Sequence, residues 1–120
     1  RAWTLEEVQR VEDALEALKP VLPGARLVLS GGLNRPPMEP TEASLALFAK
    51  ARAIGEALGL RLEPGRVGGG SDGNFTAALG VPTLDGLGLF GGDAHQKTEY
   101  VVVPEIPRRT ALLAELLAAL

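Results

Sequence analysis

The hydrophobic positions of this chain recur every three or four residues in three segments, which is the spacing of an amphipathic helix. The first segment shows it most clearly, with apolar residues at positions 5, 8, 11, 15 and 18. Thr4 with Glu7 forms a capping-box pattern before this segment, Thr41 precedes the second, and Pro107 suits the first turn of the third. A fourth, shorter helix is expected after Ser71 or Asp72. The four predicted helices cover residues 5–18, 41–58, 72–79 and 108–120.

Short apolar runs rich in β-branched residues separate the helices and predict strands. They cover residues 26–30, 60–63, 81–87 and 100–103, and the run at 81–87 is apolar enough to be central in a sheet. Helices and strands alternate without internal repeats, so the predicted class is α/β. The segment 31–40, GGLNRPPMEP, contains two glycines and three prolines and is interpreted as a linker between domains.

The amino-acid composition argues against several kinds of partner and metal site. A net charge of −3, without a basic patch, argues against nucleic acid and anionic membranes as partners, and no apolar run approaches the length of a membrane span. Cysteine is absent, which excludes thiolate metal sites and favours a cytoplasmic location.

Candidate chemistry lies between Val67 and Tyr100, which hold nine of the fifteen glycines and the single histidine, His95. The run GGGSDGN at 68–74 can point backbone N–H groups at an anion, although a tight strand-to-helix turn explains it equally well. His95 follows a second glycine loop and can ligate zinc or carry protons, whereas a lone histidine is more often structural. Arg35, beside two prolines, suits capture of a carboxylate, but locally it also reads as a surface arginine.

Taken in order, these motifs resemble one family. GGGSDGNF, GVPTLDGLG, a glycine loop leading to His95, and Glu99-Tyr100-Val101 before a closing helix are similar to the C-terminal part of the dinuclear zinc amidohydrolases. That family includes glutamate carboxypeptidase, aminoacylase, acetylornithine deacetylase and succinyl-diaminopimelate desuccinylase. The segments RPPM at 35–38 and IPRR at 106–109 favour the glutamate carboxypeptidase branch.

The resemblance implies a fold and a division of the chain. Residues 1–33 would be a β-α-β remnant of the lid, or dimerisation, domain, 34–40 the crossing linker, and 41–120 the C-terminal part of a zinc-exopeptidase-like catalytic domain with helices on a mixed sheet. It also implies roles for individual residues. His95 corresponds to a metal ligand, Arg35 and Arg1 to arginines near the substrate carboxylate, and Gly70 to a loop position whose backbone meets the substrate.

The implied activity is hydrolysis of an amide bond in an acyl-amino acid or peptide with a free carboxylate. It would use two zinc ions, with cobalt as an alternative, in a homodimer. The family's other metal ligands and its general-base glutamate have no counterpart here, so we expect an N-terminal catalytic segment elsewhere and an inactive chain by itself. Asp93 stands where glycine or a small residue is usual. The alternative expectations are a non-catalytic binding or dimerisation module of the same fold, and an unrelated anion-binding α/β domain.

Overall fold

The computed structural model describes all residues from 1 to 120, in which four helices account for most of the regular structure. In chain order the elements are α1 (Leu5–Glu16), α2 (Glu42–Ala57), α3 (Gly73–Ala78), β1 (Gly91–Gly92), β2 (Tyr100–Val101), a 3₁₀ turn (Val103–Glu105) and α4 (Ile106–Ala118). All four predicted helices are present. No helix combines the length and the apolar character that crossing a lipid bilayer requires.

The helix starts follow from their capping residues. The Thr4 hydroxyl accepts from the Glu7 amide at 3.1 Å, as predicted, while the Glu7 carboxylate turns back to the Trp3 amide. Thr41 forms a complete capping box with Ser44, in which each side chain accepts from the other residue's backbone N–H. These bonds occupy backbone donors that the first helical turn leaves unpaired, and they explain why α1 and α2 begin where the sequence indicates.

The predicted mixed sheet is not formed within these residues, and that prediction is corrected here. Segments 26–30, 60–63 and 81–87 have no strand partner, and the single ladder pairs β1 with β2 antiparallel, Gly91 opposite Val101 and Gly92 opposite Tyr100. A strand is defined by hydrogen bonds to a neighbour, whereas β-propensity and apolar runs report only how well a segment suits a sheet. The sheet of this chain consists of β1 and β2 alone, so these three segments belong to no ladder.

Two compact units make up the structure. One contains residues 1–40 and 68–81, the other residues 41–67 and 82–120. The predicted domain boundaries at 33/34 and 40/41 stay a prediction, because packing units need not coincide with domains. In the second unit α2 packs against α4, and the buried hydrophobic side chains are Ala51, Leu112 and Leu116. This small cluster is the core of the unit.

Arg109 on α4 differs from its neighbour Arg108 in what it contacts. Its guanidinium donates to the carbonyl oxygens of Gly88 (2.7 Å) and Gly86 (2.8 Å), while Arg108 reaches only Glu105 at 3.4 Å. Arg109 therefore fixes the loop that leads into β1.

An unusually large apolar surface remains uncovered. The accessible surface is 9428 Å², and twenty-four large hydrophobic side chains are exposed. Two compact domains with the same total mass would expose about 7,400 Å² between them. The reference value is that of two separate domains, so contact between the two units cannot account for the excess in accessible surface.

Candidate functional site

The glycine run at 68–70 brings two arginine side chains against bare backbone. A Cβ placed on Gly68 would lie 2.6 Å from Arg1 Nη1, and one placed on Gly70 would lie 3.0 Å from Arg35 Cδ and 3.3 Å from its Nη1. A side chain at Gly68 or Gly70 would therefore displace the neighbouring arginine, by a few tenths of an ångström at Gly70. Arg1 and Arg35, which the resemblance assigns to one substrate, thus both lie against the same glycine run in the first unit.

Arg35 is held on two sides by residues of the loop and of α3. Its Nη2 lies 3.4 Å from Asp72 Oδ1, and its Cζ lies 4.9 Å from the centroid of the Phe75 ring. Asp72 is 97% exposed, so solvent screens the ion pair and leaves it weak. The aromatic face adds a modest cation–π attraction and restricts where the guanidinium can lie. Arg35 is therefore a partly ordered cation, half-buried beside the glycine loop.

Asn74 joins the loop to the segment that carries Arg35. Its Oδ1 accepts from the Ser71 amide at 2.9 Å, and its Nδ2 donates to the Pro36 carbonyl oxygen at 2.7 Å, across 38 residues of sequence. Ser71 Oγ accepts in turn from the Gly73 amide at 3.0 Å. Of the two predicted caps, Ser71 therefore bonds a backbone amide of the turn, and Asp72 makes no side-chain cap bond.

Sequence reasoning missed the roles of Asn74 and Phe75. The spacing of three residues from Ser71 to Asn74 resembles a capping pattern and could have indicated the first bond. Nothing local indicates the bond to Pro36, since its two partners meet only in the folded chain.

His95 belongs to the second unit, on the connection between β1 and β2. It is exposed, and both it (φ 68°) and Asp93 (φ 56°) have left-handed backbone conformations. Asp and His are among the non-glycine residues that tolerate this region best. The connection is closed by bonds from the Gln96 amide to the Asp93 carbonyl and from the Glu99 amide to the Gln96 carbonyl. Glycine would adopt the left-handed φ of Asp93 without a steric penalty.

The side chains that could ligate a metal ion are dispersed over the chain. These residues contain no group of three or more His, Cys, Asp or Glu side chains that could hold a metal ion. His95 therefore belongs to no such group, and by itself it can supply one ligand at most.

Close packing at β1 gives a first prediction, because a methyl group on Gly91 would overlap the carbonyl oxygen of Tyr100. Gly91→Ala is expected to separate β1 from β2 and to cost about 1–3 kcal/mol of local stability. Hydrogen exchange measures this at the Val102 amide, which donates to the Phe90 carbonyl at 2.8 Å. Gly88→Ala is the matched control, since nothing lies within 4 Å of a Cβ there. Equal protection of Val102 in both variants would contradict the prediction.

The sequence of this chain is similar to those of known peptidases. Residues 26–119 match the family model "Peptidase family M20/M25/M40". Carboxypeptidase G2 of Pseudomonas sp. (strain RS-16) is 37% identical over 99 residues, which is 80% of this chain and 24% of that protein. The chain thus spans about a quarter of the curated relative's length. No solved structure matches the chain significantly.

Proposed function

The chain belongs to peptidase family M20/M25/M40, and from that premise we propose that it is the C-terminal part of a hydrolase that cleaves an amide bond next to a carboxylate-bearing residue. Peptidases of this family are generally metal-dependent. The observation that carries the proposal is the placement of Arg1 and Arg35 against Gly68 and Gly70.

This placement suits an anionic group of a substrate. Two guanidinium groups flank backbone that has no side chains, so a small carboxylate can approach both the cations and the main chain. Asp72 contacts only Nη2 of Arg35, from an exposed position, and a substrate carboxylate can compete with it. In the proposal Arg35 orients the carboxylate, Arg1 adds charge, and the backbone at Gly70 contacts the substrate.

His95 is proposed as one ligand of a two-metal centre, with zinc as the expected metal and cobalt as the alternative. When bound, such ions polarise the scissile carbonyl and activate water. The remaining ligands and the general-base glutamate would come from a preceding segment of the same protein, so we propose that these 120 residues are inactive by themselves.

The uncovered surface supports the need for additional polypeptide. Segment 26–30 has no strand partner, and its Leu27, Val28 and Leu29 are 48%, 70% and 52% exposed. Val81, at the start of segment 81–87, is 53% exposed. Apolar segments of this kind are stable when neighbouring strands pair with them and further residues cover them.

The test begins with the coding sequence upstream of Arg1. An upstream segment supplying the remaining metal ligands is the expected result, and a start codon close to Arg1 would contradict it. The complete protein would then be assayed on N-benzoyl derivatives of glutamate, leucine and glycine, each beside its α-carboxamide. We expect hydrolysis of at least one free acid and much slower hydrolysis of its carboxamide. Equal rates on both would contradict recognition of the carboxylate.

A prediction for His95 concerns metal content. His95→Ala in the complete protein is expected to lower bound zinc from about two ions to about one, because one protein ligand is lost. Metal analysis of the dialysed protein measures this. Gln96→Ala, the neighbouring position, is the control and should retain both ions. Full zinc occupancy in His95→Ala would exclude the ligand assignment.

A second candidate is a non-catalytic binding or dimerisation module, and one observation favours it. Helix α1 has no buried residue, and its apolar positions Leu5, Val11 and Leu15 are 41–55% exposed. A second copy packing on residues 1–33 would cover them, which also fits a homodimer of the complete protein. Light scattering measures the oligomeric state of the complete protein, and the hydrolysis assay measures its activity. A dimer that hydrolyses no substrate would support the non-catalytic module and contradict the hydrolase.

A further inference from the structure

The side chain of Asn74 is the direct link between the glycine loop and the peptide that follows Arg35. One end of its amide accepts from the Ser71 backbone, and the other end donates to the Pro36 carbonyl oxygen. Asn74 and Pro36 are both half-buried, so water competes less with these bonds than it does at an exposed side chain.

Holding the Pro36 carbonyl restricts Arg35 through the main chain. The proline rings at 36 and 37 fix their own φ angles, and Pro36 also restricts the backbone of Arg35. This stiff segment has few internal rotations, so one fixed carbonyl limits where the Arg35 Cα can lie. Asp72 and Phe75 then act on the guanidinium, 3.4 Å and 4.9 Å away. Backbone and side chain of Arg35 are thus restrained by separate groups.

We propose that Asn74 is a positioning residue that fixes Arg35 for recognition of the substrate carboxylate. The proposal rests on the proposed function, and Asn74 itself touches no substrate. In the proposal, Arg35 distinguishes a free substrate carboxylate from an uncharged group at the same position. Loss of the Asn74 side chain therefore weakens this discrimination.

The chemistry of the two bonds explains why an amide is needed. One bond requires an acceptor and the other a donor, and the asparagine side chain presents both at fixed spacing. Aspartate has the same shape and keeps the acceptor for the Ser71 amide. It loses the donor and sets a charged oxygen against the Pro36 carbonyl oxygen. Asn74→Asp therefore breaks only the link to Pro36.

The test is made in the complete protein with the N-benzoyl amino acid that it hydrolyses fastest and with the matching α-carboxamide. Asn74→Asp is expected to reduce the kcat/KM ratio of acid to carboxamide about 10-fold, mainly through KM for the acid, while the rate on the carboxamide changes less than about 2-fold. Asn34→Asp is the matched control, since it adds the same charge beside Arg35 at an exposed position. The control should leave the ratio unchanged.

A double-mutant cycle with Arg35→Met shows whether Asn74 acts through Arg35. In the Arg35→Met background, Asn74→Asp is expected to cause no further loss of discrimination. A full additional loss there, or an equal loss on acid and carboxamide in Asn74→Asp alone, would overturn the proposal. Asn74→Ser, which shortens the side chain without adding charge, should repeat the loss of discrimination. It also supplies the measurement if Asn74→Asp fails to fold.

The same data separate failure of this inference from failure of the proposed function. If Arg35→Met leaves the ratio of acid to carboxamide unchanged, or if no free acid is hydrolysed, the proposed function and this inference both fail. If Arg35→Met abolishes discrimination while Asn74→Asp and Asn74→Ser retain it, only the role of Asn74 is overturned.

Discussion

Replacing Arg35 by methionine is expected to lower kcat/KM of the complete protein for a free α-carboxylate substrate about 30-fold. Truncating one partner of a hydrogen-bonded charge pair in a partly desolvated site costs on the order of 2–5 kcal/mol, and each 1.4 kcal/mol is a factor of ten. The low end of that range applies, because the Arg35 side chain is 35% exposed. Methionine preserves much of the side-chain length and its contact with Phe75, so the lost charge dominates the effect.

The measurement compares steady-state kinetics on the acid and on its α-carboxamide. The rate on the carboxamide should change only a few-fold, since no carboxylate is available to pair with Arg35. Arg52→Met is the control for loss of a positive charge, because Arg52 is exposed on α2 and pairs only with Glu56 in the next turn. An equal fall on both substrates, or an equal fall in the control, would contradict recognition by Arg35.

The helices of this chain could be predicted from the sequence because their determinants are local. The apolar spacing and the side chain of Thr4 define α1, and Thr41 defines the start of α2. The predicted ends at 18 and 58 lie close to the observed ends at Glu16 and Ala57. Caps act within three residues of the backbone groups that they satisfy, so a reader of the sequence sees both partners at once.

The strands could not be predicted in the same way, since each requires a partner that the sequence pattern does not supply. Segment 81–87 has the composition of a buried strand yet forms no strand here, while the short β1 forms at two glycines. Glycine is a poor strand former by propensity. The backbone of β1 approaches Tyr100 closely, and only a residue without a Cβ fits against the Tyr100 carbonyl group, which explains why β1 forms at glycines.

The candidate site shows the same division between local and long-range determinants. From its local sequence, Arg35 is predicted to be an ordinary surface arginine. The prediction that it binds a substrate carboxylate comes only from the family resemblance, which depends on the order of several motifs. The structure then places it against Gly70, which no propensity could predict across 34 intervening residues. The bond from Asn74 to Pro36 had no sequence signal at all. Contacts between distant segments position Arg35 and Asn74, and they become visible only in the folded chain.

Leu112→Ala is expected to have the largest effect on stability in the second unit. Leu112 is 0% exposed and is the largest fully buried side chain of the structure, packed where α4 meets α2. Removing a buried leucine side chain costs about 2–5 kcal/mol, through lost burial and through the cavity that remains. With so few buried neighbours the site can partly collapse, which favours a value of about 3 kcal/mol.

Leu113→Ala is the matched control, because the next residue of the same helix undergoes the same change of side chain while being 45% exposed. Its cost should stay below about 1 kcal/mol. Hydrogen exchange of amides in α2 and α4 measures both variants, since it reports local opening whether or not the whole protein unfolds in one step. Faster exchange in both helices is expected for Leu112→Ala alone, because each helix loses the surface against which it packs. Equal exchange in the two variants would show that the contact between α2 and α4 does not stabilise this unit.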